Sequence, residues 1–176
     1  MKHFFLSLFL VSLISATNAQ SIDTLTTPDA VMRCFYSCLD VKKGKYIDSA
    51  RFANLFWPGA QLNGVVQSRR DTTRMTNFSI TPQEYLRSMK GLTSTHRFKE
   101  WETGRQVLSF GHMTCTYSAY ELIDVDPKGD TTTLRGINVF HMFFDKNRWW
   151  ITYCTYEEEG PGVAVPLEYT SPAKKG

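Results

Sequence analysis

The sequence predicts an α+β domain in which helices gather on one side of an antiparallel sheet. Three observations carry this. Thr27-Pro28-Asp29 and Thr81-Pro82-Gln83-Glu84 each place a threonine N-cap before an N1 proline, the signature of a helix start. From Arg97 onward the chain turns to long aromatic and β-branched runs broken only by short polar turns. The last two of these runs, Arg135 to Phe144 and Arg148 to Glu158, join at Asp145-Lys146-Asn147 as an antiparallel hairpin.

Taken in order, Thr27 caps a helix over about 28–42 with Val31, Cys34, Phe35 and Cys38 on its inward stripe. Lys42-Lys43-Gly44 supplies a basic last turn and the glycine stop. A shorter helix starts near Asp48 and turns Phe52, Leu55 and Phe56 inward. Trp57-Pro58-Gly59 ends it, because proline cannot continue a helix and disfavours helical geometry at the residue before it. Ala60 to Gln67 reads as a strand, and Ser68 to Arg74 as a polar loop or exposed hairpin. Thr81 and Glu84 form a capping box that opens a third helix with Tyr85, Leu86, Met89 and Leu92 inward. Strands follow over Phe98–Phe110, Met113–Val125, Thr131–Phe144 and Arg148–Glu158, with a clear turn at Asp126-Pro127-Lys128-Gly129-Asp130.

Strict alternation in the final hairpin, counted from Phe144 opposite Trp149, pairs Met142 with Ile151, Phe140 with Tyr153, Asn138 with Thr155 and Gly136 with Glu157. Those residues then share one face. Ile137, Val139, His141, Phe143, Trp150, Cys154 and Tyr156 share the other. Both faces are largely apolar, so the hairpin belongs inside a sheet covered on both sides. Asn138 is the polar interruption of the inward face. Pairing Val125 with Thr131 sets Glu121 across from Arg135 and Cys115 across from His141.

A chain of 176 residues fits a single domain with a sizeable core. A formal charge of +3, with no Lys/Arg run, gives no support to a nucleic-acid partner. Residues 1–19 have the layout of a signal peptide: Lys2 and His3, an apolar run from Phe4 to Ile14, then small residues ending at Ala19. The run is shorter than the ~20 residues that span a bilayer. Cleavage after Ala19 and export to the periplasm or outside follow, with no membrane association afterwards. The mature domain would run over 20–160, followed by a loose tail over 161–176. Cys34, Cys38, Cys115 and Cys154 have no zinc-type or Cys-x-x-Cys spacing, and no phosphate loop or nucleophile elbow occurs. No cofactor or metal is expected.

The element order, with Leu55-Phe56-Trp57-Pro58-Gly59-Ala60, Pro82-Gln83-Glu84-Tyr85-Leu86, Arg135-Gly136-Ile137-Asn138 and Arg148-Trp149-Trp150-Ile151, resembles the SnoaL-like branch of the nuclear transport factor two-like superfamily. The resemblance covers roughly Thr26 to Glu159. It implies a cone: a strongly curved antiparallel sheet wrapped on about three helices, with a pocket at the open end and frequent dimers through the sheet. Members of that superfamily include isomerases, dehydratases, polyketide cyclases and binding modules, so fold does not fix function. Its enzymes place an Asp or His at the inward strand position that Asn138 occupies here, and an amide cannot exchange a proton near neutral pH.

The expected pocket is therefore aromatic with one amide anchor: Tyr36, Phe56, Trp57, Tyr85, Phe140 and Tyr153, with Asn138. Such walls suit a small, partly apolar ligand. The alternative is an isomerase, dehydratase or cyclase-type enzyme, for which Glu157 and His112 are the candidate acid–base residues. A third possibility is a dimeric interaction module with a filled cone, joined through Val139, His141, Phe143, Trp150 and Tyr156.

Overall fold

A computed structural model describes residues 24–67 and 75–170. Residues 1–23, which hold the expected signal segment, the arginine-bearing stretch 68–74 and the last six residues lie outside them. Within the described residues are three helices, α1 (Pro28–Cys38), α2 (Ser49–Ala53) and α3 (Pro82–Thr93). The strands are β1 (Asp40–Val41), β2 (Phe56–Gln67), β3 (Met75–Ile80), β4 (Arg97–Phe110), β5 (Met113–Val125), β6 (Thr131–Asp145) and β7 (Arg148–Glu158). They form one curved, unclosed sheet in the order β1-β4-β5-β6-β7-β2-β3, with the helices packed on its inner face. The α+β cone expected from the sequence is the fold observed.

Local chemistry explains the helix starts. Thr27 Oγ1 accepts the Ala30 amide at 3.1 Å, and in the capping box Thr81 Oγ1 accepts from the Glu84 amide while Glu84 accepts from the Thr81 amide at 2.8 Å. Tertiary pairing sets the end of α1. The helix stops at Cys38, short of Gly44, because the Leu39 carbonyl accepts from the Glu100 amide and Asp40–Val41 pair with Lys99 and Phe98.

Two further departures concern β2. It begins at Phe56 instead of Ala60 and runs parallel to β7, the one parallel pair among the described strands. Pairing holds at Phe56 opposite Ile151, breaks over Trp57-Pro58-Gly59-Ala60, and resumes at Gln61 opposite Tyr153. Pro58 has no N–H to offer and Gly59 sits at φ +88°, so the ladder cannot continue through them. Beyond β2, β3 adds an antiparallel strand in register from Leu62–Ile80 to Gln67–Met75, which the sequence pattern did not reveal.

The largest correction is in the final hairpin. Lys146 and Asn147 both take positive φ, at 51° and 68°, the two-residue turn that suits strand twist. Phe144 pairs with Trp149 and Met142 with Ile151, as alternation expects. A β-bulge then intervenes: His141 faces Tyr153, leaving Thr152 as the extra residue, its hydroxyl donating to the His141 carbonyl at 3.0 Å. From there every β7 side chain changes face. Phe140 pairs with Cys154 and Asn138 with Tyr156. Cys154, Tyr156 and Glu158 therefore point inward, and Tyr153, Thr155 and Glu157 outward. The β5–β6 register has no such break, and Glu121 meets Arg135 at 3.5 Å, as the turn predicts.

Phe35 anchors the core, with its ring 4.9 Å from Phe140 and 5.7 Å from Phe52; Phe52 in turn stacks on Tyr85. Arg148 ties the hairpin to α2 by donating to Asn54 Oδ1 and O while lying over the Trp150 ring. The tail, expected to be loose, is held through Thr170. Val165 donates its amide to Glu159, the Glu168 carbonyl accepts from Gln106, and Tyr169 stacks on Tyr117 of the outer sheet face.

Candidate functional site

The site grows from the alternation of β4. Phe98 packs inward, so Glu100 and Glu102, two and four residues on, share its face. Ser118 on β5 lies directly across from Asn138 on β6, and Tyr36 projects from α1 onto both. The result is one directed network. Arg105 donates to both Asp29 and Glu102. Ser118 Oγ donates to Glu102 Oε1 at 2.6 Å, so its oxygen accepts from the Tyr36 hydroxyl at 2.7 Å. The Tyr36 oxygen accepts one hydrogen of the Asn138 amide at 3.2 Å, and the second hydrogen goes to Glu100 Oε1 at 2.8 Å. Cys154 Sγ approaches Asn138 Oδ1 at 4.0 Å. Every polar atom of the buried amide thus has a partner within the protein.

Glu100 is the group that this network orients. It is 9% exposed. Burial, reinforced by the nearby charge of Glu158, pushes its carboxyl up to about 7, against the opposing hydrogen bond from Asn138. Burial also raises the hydroxyls of Tyr36, Tyr85 and Tyr120, with the Glu100 charge adding to it, and lifts Tyr156 to about 12. All of these hydroxyls stay protonated near neutrality and can donate hydrogen bonds.

Glu100 and Asn138 open onto a cavity of about 160 Å³ between α1, α3 and the sheet. Its walls are mostly apolar, with Phe35, Leu62, Met89 and Leu122, and its polar edge carries Tyr85, Tyr120, Tyr156 and Glu158. That volume matches an engineered cavity of ~150 Å³ that takes benzene. Gly136 is needed for this shape: a Cβ there would lie 2.6 Å from the Tyr120 hydroxyl oxygen and 2.3 Å from the Glu157 carbonyl. Among the described residues, no cluster of three or more His, Cys, Asp or Glu could hold a metal ion.

Of the residues expected at the pocket, Tyr85 and Asn138 line the cavity, and Tyr36 reaches the site through its hydroxyl. Phe56 and Phe140 are buried in the core. Trp57 does not line the cavity: it lies on the outer face, 5.0 Å from the Phe143 ring and 5.6 Å from Trp150. Tyr153 is turned outward by the bulge and is 50% exposed. The same shift carries Glu157 outward, opposite Ile137, and brings Glu158 to the cavity in its place. His112 sits at the exposed β4–β5 turn, its ring stacked on Phe144 and away from the cavity. The sequence argument missed Glu100, Glu102 and Ser118. A parity count along β4 from Phe98 finds both carboxylates, but Trp101, the most conspicuous residue of that strand, belongs to the opposite face.

The sequence matches no protein-family model and no curated relative. Among solved structures, a conserved protein from Planctomyces limnophilus aligns with TM-score 0.60 at 10% identity, over 74% of this chain and 92% of that one. A Novosphingobium aromaticivorans protein described as the beta subunit of an aromatic-ring-hydroxylating dioxygenase gives 0.58 at 11% identity, over 80% and 92%. A second protein of that species, described as an aromatic ring hydroxylase, gives 0.58 at 15% identity, over 85% and 96%. The likeness is one of fold: an α+β domain with a curved antiparallel sheet wrapped on helices.

Proposed function

We propose that the cone binds a small, mostly apolar molecule and that Glu100 exchanges a proton with it. The observation that carries this is a carboxylate at the wall of an apolar cavity, held by a neutral amide and poised at about 7. A solvated structural glutamate would titrate near its ordinary value of ~4.3. Asn138 supports the reading as the positioning residue for that carboxylate, since both of its amide hydrogens are already engaged. The test is a ligand-observed NMR screen of ring-sized fragments spanning acids, bases and neutral compounds, run at pH 6 and pH 8. Bound fragments whose affinity changes between those pH values in the wild type, and not in Glu100→Gln, are the expected result. No bound fragment, or a pH-independent wild type, overturns it.

Catalysis of the isomerase, dehydratase or cyclase type is the second reading, favoured by the same poise of Glu100, which provides acid and base forms together near neutrality. Its signature is solvent-deuterium exchange at the carbon beside a carbonyl, measured with cyclohexanone and lost in Glu100→Gln. Absence of exchange in the wild type leaves a binding domain. Export of the mature protein and pairing of two copies through the outer sheet face belong to the same proposal.

A further inference from the structure

The side-chain amide of Asn138 has two ends of similar size and opposite character, so its neighbours decide which end faces Glu100. Glu100 alone does not decide it: an ionised carboxylate calls for the Nδ2 end, whereas a protonated one can donate to Oδ1. The direction is set at the far end of the network. Arg105 can only donate, and it holds one oxygen of Glu102 while also donating to Asp29. The other Glu102 oxygen takes the single hydrogen of Ser118 at 2.6 Å. The single hydrogen of Tyr36 then goes to Ser118 at 2.7 Å, and the Tyr36 oxygen is left to accept. Asn138 therefore meets Tyr36 with Nδ2, at 3.2 Å, and the same NH2 group reaches Glu100 at 2.8 Å. Ser118, Tyr36 and Asn138 are all buried, which shields this order of donors from competing solvent.

We propose that Glu102 is a positioning residue for Glu100: through Ser118 and Tyr36 it keeps the N–H end of the Asn138 amide turned toward the cavity carboxyl. This rests on the reading of Glu100 as the group that exchanges a proton with the ligand, and adds how that group is controlled from outside the cavity. Around Glu102 stand Arg105 on its own strand, Ser118 on β5, and Tyr36 on α1, with Asp29 behind Arg105. Around Glu100 stand Tyr36 on α1, Tyr85 on α3, Tyr120 on β5, and Cys154, Tyr156 and Glu158 on β7.

Glu102→Gln keeps the shape of the side chain and reverses its chemistry. Arg105 retains the carbonyl oxygen, which places the new NH2 group on Ser118. Ser118 then donates to Tyr36 and Tyr36 to Asn138, so the amide turns Oδ1 to both Tyr36 and Glu100. Two acceptors facing each other disfavour the carboxylate, and Glu100 keeps its proton to higher pH. Loss of a negative charge by itself acts the opposite way, because it eases ionisation of a nearby carboxyl. The sign of the change separates the relay from simple electrostatics.

The experiment follows the NMR signal of the Glu100 side-chain carboxyl carbon against pH, identified by its loss in Glu100→Gln. In Glu102→Gln its ionisation constant should fall about tenfold or more, the range of a lost hydrogen bond to a charged group. With Tyr36→Phe, which cuts the relay, Glu102→Gln should cause no such fall. An unchanged or raised constant in Glu102→Gln, or the same fall without the Tyr36 hydroxyl, overturns the proposal. The wild type alone can also refute it. Nuclear Overhauser contacts should place the Asn138 NH2 protons beside the Tyr36 ring, and contacts to the Cys154 β-protons instead would show the opposite orientation. Fragments that bind although Glu100 ignores Glu102→Gln leave the pocket reading standing and remove the relay; a response without bound fragments does the reverse.

Discussion

At the scale of single residues, Glu100 makes stability depend on pH in an unusual direction. Its carboxyl titrates higher in the folded protein than in the unfolded chain, so between those two values the folded state holds more protons. Stability from this group is present in acid and is lost as pH rises from about 4.5 to about 7, by roughly 3 kcal/mol at most. Chemical denaturation at pH 5 and pH 8 should show the wild type less stable at pH 8, and Glu100→Gln should flatten that difference. Asn138→Leu should cost about 1–3 kcal/mol, because it leaves Glu100 and the Tyr36 oxygen without a donor. It should also push the Glu100 carboxyl further up, which NMR titration of the side chain would record. Asn138 was legible in the sequence because it is an amide in an apolar run. Glu100 was not, because a glutamate among Lys99, Glu102 and Arg105 looks like solvated surface until the strand's inward parity is fixed by its neighbours.

At the scale of elements, the bulge at Thr152 decides what the pocket contains. Sequence alternation gives no sign of it, since Tyr153 and Cys154 are both acceptable inside a sheet covered on two sides. Across from it lies the Pro58-Gly59 interruption of β2, distant in sequence, where the β2–β7 register shifts between Phe56 opposite Ile151 and Gln61 opposite Tyr153. Helix starts, by contrast, are written locally by cap residues and proline, and these were read correctly for α1 and α3. Deleting Thr152 removes the extra residue, so Tyr153 follows Ile151 directly, still opposite His141, and Cys154, Tyr156 and Glu158 should stay inward. What is lost is the hydroxyl that donates to the His141 carbonyl and the extra twist of the bulge that accommodates the interrupted β2. The expected outcome is a cooperative unfolding transition retained at lower stability, followed by near-ultraviolet circular dichroism from the aromatic core, and loss of that transition would overturn it.

At the scale of the whole molecule, the outer face of the sheet is unevenly covered. The tail and Tyr169 shield Tyr117, while Leu108, Phe110 and Met113 stand out beside His141 and Phe143 around an open concavity. Tyr156, expected on this face, is turned to the cavity instead. Contiguous apolar surface of this kind is seldom bare on a soluble monomer. Light scattering at micromolar concentration should give the mass of a dimer. Phe110→Asp, at a residue 82% exposed and so free to change, should shift it toward monomer. Expression through a secretory route should yield a chain whose mass begins at Gln20, and a product retaining Phe4 to Ile14 would contradict export.

The parallel pairing of β2 with β7 also sets the order in which this fold can be reached. Phe56 lies beside Ile151, so closing that contact waits on ~95 residues of intervening chain, a separation that slows folding because loop entropy is lost before any contact rewards it. During synthesis from the N-terminus, α1, α2, β2 and β3 emerge long before the strand that completes their sheet. A chain ending before Arg148 lacks the strand that joins the β2–β3 pair to the rest of the sheet. Native structure therefore forms late, after nearly the entire polypeptide has been released, which keeps the chain threadable for as long as a translocation channel would need it to be.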